Sequence, residues 1–104
     1  GVLILGSGNI VHNLRQLRFD GQAHDWAQEF DAYFANQLQE RNFDALADLN
    51  AMGSLMKMSN PTLEHYSPAL TIAGASDARD EMITLAEGID LGSVSMRSFM
   101  FYGR

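Results

Sequence analysis

The sequence contains no cysteine, which excludes a disulfide framework and a thiolate metal site and leaves the redox compartment open. Positive charge is scarce. Lys57 is the single lysine among seven basic residues, against thirteen acidic ones, for a formal charge of −6. With the arginines scattered and no basic stripe, neither a nucleic acid nor an anionic membrane is expected as a partner. Long apolar runs are also missing; none approaches the ~20 residues needed to span a bilayer. No charged lead precedes an apolar stretch, so no signal peptide is visible and a cytoplasmic location is expected.

The chain has 104 residues, 46% of them apolar and 19% charged, a globular composition with room for one small domain. Scaling predicts a folded surface of roughly 5,800 Å² against about 16,700 Å² unfolded, enough for one modest core. The chain opens Gly1-Val2-Leu3-Ile4-Leu5 without a methionine or a polar lead-in. Val2 to Leu5 reads as a central strand. Natural domains seldom begin inside a core strand, so the expectation is the C-terminal part of a longer domain.

Gly6-Ser7-Gly8-Asn9 reads as a tight turn, with Asn9 capping a helix from Ile10 to about Arg18 and Gly21 following its end. A long helix spans about His24 to Arg41, with Trp26, Phe30, Tyr33, Phe34 and Leu38 on one face as core. Phe43 to Asn50 reads as a short helix, and Met52 to Ser59 shows no clear period. Asn60-Pro61-Thr62 is a turn leading into a helix from about Glu64 to Ala73, closed by Gly74, with Pro68 in its first turn. Met82–Glu87 and Val94–Tyr102 alternate with period two and read as a strand pair. In the second run Ser95, Arg97, Phe99 and Phe101 share one face. The fold class is therefore α/β.

Strand, Gly-Ser-Gly and helix start could cradle a dinucleotide, but Val11 stands where a third small residue is required, and no lysine supplies a P-loop. Among the histidines, His24 reads as a solvated side chain. His12 falls beyond the carboxyl end of the first strand, where open α/β sheets form sites. His65 falls at the start of a helix, where the dipole favours the neutral, metal-ligating ring. A shared His12/His65 site competes at this point with ordinary packing roles.

Gly6-Ser7-Gly8-Asn9-Ile10-Val11-His12-Asn13-Leu14 resembles a segment of class III extradiol ring-cleavage dioxygenases, in particular the 4,5-DOPA dioxygenase branch of the protocatechuate 4,5-dioxygenase catalytic-subunit superfamily. Pro61-Thr62-Leu63-Glu64-His65-Tyr66-Ser67-Pro68 and Gly92-Ser93-Val94-Ser95-Met96-Arg97-Ser98-Phe99 resemble two further segments of that branch, in the same order. The sequence departs from the branch at Leu63 and Ser67 of the second motif, positions expected to tune packing rather than chemistry.

The resemblance implies the C-terminal portion of a three-layer α/β/α domain with a mixed sheet, residues 1–104 forming part of a single catalytic domain. It implies O2-dependent cleavage of a catechol-type ring beside the diol, with a divalent metal, Fe(II) for activity or Zn(II) as found. By motif, His65 is a metal ligand and His12 the acid/base facing substrate, or alternatively a ligand. Glu64 has an orienting role, and further ligands are expected from an N-terminal half or a partner chain. The other reading that the resemblance leaves open is a non-catalytic member of the same fold, acting as a binding protein or subunit.

Overall fold

A computed structural model describes residues 2–103. Four helices, α1 (Asp25–Gln39), α2 (Phe43–Ala47), α3 (Gly53–Ser59) and α4 (Ser67–Ala75), precede four strands, β1 (Glu81–Ala86), β2 (Ile89–Asp90), β3 (Val94–Ser95) and β4 (Ser98–Tyr102). The strands form two antiparallel pairs, β1 with β4 and β2 with β3. The α/β class expected from the sequence holds.

The aromatic stripe explains α1. Ala27, Phe30, Phe34 and Leu38 are buried, and Trp26 and Tyr33 pack partly buried against them. Asp25 sits in the first turn, where a carboxylate favours the positive end of the helix dipole. Arg41, at φ 59°, turns the chain beyond the helix. Its guanidinium lies 5.1 Å from the Phe101 ring centroid and donates to the Asp77 and Asp80 carbonyls, tying α1 to the approach to β1. On β4, Phe99 and Phe101 point inward and alternate with exposed Ser98, Met100 and Tyr102. The two-residue period of the tail is thus observed.

Several expectations are corrected. Val2–Leu5 forms no strand: its residues lie outside any ladder, and Val2, Leu3 and Leu5 are 89%, 82% and 84% exposed. An apolar strand needs a neighbour to pair its backbone, and among the described residues none runs beside this one. The opening Gly1 lies outside the described residues. The helix expected from Ile10 to Arg18 is a single 3-10 turn, Leu14–Gln16, capped by the Asn13 side chain rather than by Asn9. Consecutive Ile10 and Val11 favour extended backbone, and this stretch bridges to Val94 instead.

Met52–Ser59, in which no period was visible, contains α3, with Met56 and Ser59 turned inward. Helix α4 starts at Ser67, later than expected, with Pro68 in its first turn, and runs through Gly74 to Ala75. The run Val94–Tyr102 is two strands, because Met96 and Arg97 leave the ladder between β3 and β4.

The surface is 6576 Å², above the roughly 5,800 Å² of a compact monomer of this mass. Exposed apolar side chains gather on residues 2–5 and on Ile83, Leu85, Met100 and Tyr102 of the β1–β4 ribbon. Between residues 2–8, α4 and β4 lies an open cleft of about 580 Å³, with His65 and Arg97 on its walls. Among the described residues no helix is long and apolar enough to cross a membrane.

Candidate active site

The first motif is held by backbone on both flanks. The His12 N–H donates to the Ser59 carbonyl at 2.8 Å, on the last turn of α3. On the other flank His12 bridges antiparallel to Val94, Ser95 N–H donates to Val11 O at 2.9 Å, and Asn13 N–H donates to Ser93 O at 3.2 Å. Side chains complete the seam. Asn60 Nδ2 donates to Ile10 O at 2.6 Å, Asn9 Nδ2 to Ser95 O at 2.6 Å, Asn13 Nδ2 to Met58 O at 2.7 Å, and Ser93 Oγ to Asn13 O at 2.6 Å. Three asparagines and a serine thus satisfy carbonyls of short segments that no continuous sheet would reach. The positions of Asn9 and Asn13 in the first motif, of Ser93 in the third and of Asn60 just ahead of the second follow from that task.

The second motif forms the turn that enters α4, with His65 two residues ahead of the helix. Tyr66 anchors it. Its ring is fully buried and edge-on to Phe30 and Phe34 of α1, at 5.8 and 6.0 Å, and its hydroxyl donates to Leu46 O at 2.6 Å. Burial raises the pKa of this phenol, so it remains a hydrogen-bond donor. Gly8 brings the first motif against the second: a Cβ there would lie 2.5 Å from the His65 carbonyl oxygen. Only glycine permits that approach.

The result is a direct contact between the two histidines singled out from the sequence. The His12 and His65 rings stack with centroids 3.6 Å apart and planes 14° from parallel. His12 is therefore placed by an extended bridge and not, as expected, by a helix. Both rings are partly buried, and the Glu64 side chain is exposed beside them. Burial lowers the His12 pKa, and positive charge on His65 lowers it further, against opposing effects of the His12 backbone and Glu64. The Glu64 carboxyl is held low by hydrogen bonds from the Thr62 side chain and its own backbone, then by the two imidazoles.

His24 lies elsewhere. It stacks on Trp26 at 5.0 Å, and its Nε2 is 2.6 Å from Gln16 O, so it is not the free solvated side chain expected.

Imidazoles suit iron and zinc in kind, but among the described residues no three His, Asp or Glu side chains gather into a cage. The stack also separates the two rings by geometry. An imidazole nitrogen ligates through a lone pair in its own ring plane, so a metal held here would be bound at a ring edge and not between the stacked faces.

Residues that the sequence reading passed over complete the surroundings. Asp31 is buried on the core side of α1 and pairs with Ser95 and Arg97 of the third motif. The signal was present, since position 31 falls within the apolar face between Ala27 and Leu38.

The chain is similar to known proteins. The chain is 37% identical to 4,5-DOPA dioxygenase extradiol of Escherichia coli K12, over 94% of this chain and 38% of that protein. A crystal structure of an uncharacterized protein from Escherichia coli K12 superposes with a TM-score of 0.78 at 36% identity, over 89% of this chain and 40% of that one. The chain thus spans about two fifths of the length of each. Residues 1–93 match the family described as the catalytic LigB subunit of aromatic ring-opening dioxygenase, and the chain belongs to that family.

Proposed function

We propose that the protein formed by this chain is an extradiol dioxygenase that opens a catechol-type ring with O2, and that residues 1–104 are the C-terminal part of its single catalytic domain. Family membership and the named activity of the Escherichia coli relative support the reaction class. The matched share of that relative, 38%, supports the incomplete domain. The observation that carries the assignment of roles is the His12–His65 stack at 3.6 Å, where all three motifs meet.

In this reading His65 holds a divalent ion, Fe(II) for activity or Zn(II) as found, and Glu64 orients the ligand from the same turn. Bound there, the ion supplies Lewis acidity toward the diol and a template that sets diol and O2 side by side. The remaining ligands come from the rest of the domain or from a partner chain, packed along Val2–Leu5. His12 does the proton work. Its lowered pKa keeps the ring neutral near pH 7, ready to take a phenolic proton and later return it. The stack fixes the ring face-on to His65, so its nitrogens are aimed rather than free to rotate.

The test is O2 consumption by the full-length protein, reconstituted anaerobically with Fe(II), on addition of DOPA or caffeate. One O2 consumed per ring opened is expected, with neither lost nor gained when catalase is present. A protein that binds one ion per chain and consumes no O2 with any catechol overturns the reading.

A further inference from the structure

The buried face of α1 carries one carboxylate. Asp31 is 8% exposed, flanked by Phe30 and Phe34 on a helix whose other inward residues are apolar. Both of its oxygens are engaged. Oδ1 accepts from Ser95 Oγ at 2.7 Å and from Arg97 Nε at 3.1 Å, and Oδ2 accepts from the Arg97 terminal guanidinium nitrogen at 2.8 Å. Ser95 Oγ in turn accepts the Arg97 backbone N–H at 3.2 Å. The side chains of the ion pair are only 10% and 12% exposed.

A buried pair of this kind is poor evidence for stability, because well-packed apolar side chains of similar volume often serve as well or better. Its location suggests another purpose. The pair holds the chain where β3 breaks from β4, and β3 is the strand against which His12 bridges. Ser95 is the shared link: its backbone N–H holds Val11, its carbonyl accepts from Asn9, and its hydroxyl is fixed by Asp31. A two-residue strand with no long ladder of its own needs such an anchor to keep its register.

We propose that Asp31 is a positioning residue for His12, acting through Ser95 and Arg97 to set β3 and so the stack of His12 on His65. The placement itself follows from the hydrogen bonds above; its consequence for catalysis rests on the proposed ring-opening reaction.

The experiment uses the full-length protein labelled with 13C-histidine, comparing Asp31→Asn and the double variant Asp31→Leu/Arg97→Met with the parent. Ring-proton cross-relaxation between His12 and His65 is recorded in the folded population, beside the thermal midpoint and steady-state kinetics with a catechol. The double variant keeps the core filled, so it covers the case in which Asp31→Asn fails to fold. The expected result is a several-fold loss of cross-relaxation in a folded variant, with kcat reduced more than KM changes. A folded double variant that keeps the parent's cross-relaxation overturns the proposal, whatever its stability. Because cross-relaxation needs no turnover, a protein inactive toward catechols counts against the reaction and leaves the positioning test intact.

Discussion

Gly8→Ala probes the tightest of the described glycine positions. The added Cβ would lie 2.5 Å from the His65 carbonyl oxygen, where ordinary contact begins at 3.4 Å. The two backbones must therefore part by several tenths of an ångström, and neither is free to do so. The Gly8 segment is held by Asn9 and Asn60, and the His65 turn by the buried Tyr66. Overpacking of this kind costs about 1–3 kcal/mol, and each kcal/mol lowers Tm by roughly 2–4 °C in a domain of the larger size that the 38% share of the relative implies. A misplacement of about 1 Å at a reacting group can cost on the order of 100-fold in rate. We expect a lower Tm by calorimetry and ring cleavage reduced tenfold to a hundredfold, to order of magnitude. Gly74→Ala is the control of opposite sign, since Gly74 lies inside α4 with nothing within 4 Å of its Cβ position. It should gain about 0.5–1 kcal/mol. A Gly8→Ala protein with the parent's Tm and turnover would refute the close approach.

Tyr66→Phe leaves the Leu46 carbonyl without its 2.6 Å donor in the core and should cost about 1–3 kcal/mol in urea unfolding; an unchanged midpoint would contradict it. The lowered His12 pKa has a definite sign. The folded chain binds fewer protons than the unfolded chain just below 6.5, the ordinary value for histidine, so stability from this group is present above that pH and is lost as pH falls through the lowered value. With metal chelated, His12→Gln should flatten that part of the stability–pH curve, and identical curves for parent and variant would count against it.

Much of this architecture was legible in the primary structure because its periods are long enough to read. The stripe of α1 and the alternation at Phe99 and Phe101 each repeat several times and dominate local noise. The candidate site was legible through motif resemblance more than through spacing: His12 and His65 lie 53 positions apart and meet only because Gly8 lets two turns touch. The segment from Ile10 to Asn13 was misread because its partners are Ser59, Ser93 and Ser95, remote in sequence and too few to leave a pattern. Helix α3 escaped for a related reason: seven residues rich in methionine and serine give no full amphipathic cycle. Val2–Leu5 shows the converse, a strand-like pattern left without a strand because pairing is a tertiary event. Asp31 was overlooked because a single carboxylate in an apolar face reads as an exception until its partners are seen.

The most direct test of the division of labour between the stacked histidines is metal content by elemental analysis of His65→Ala and His12→Ala in the full-length protein, each measured beside ring cleavage. We predict that His65→Ala loses both metal and activity, whereas His12→Ala retains most of its metal and loses ring cleavage. Undiminished metal in His65→Ala, or metal and activity falling together in His12→Ala, would contradict the account.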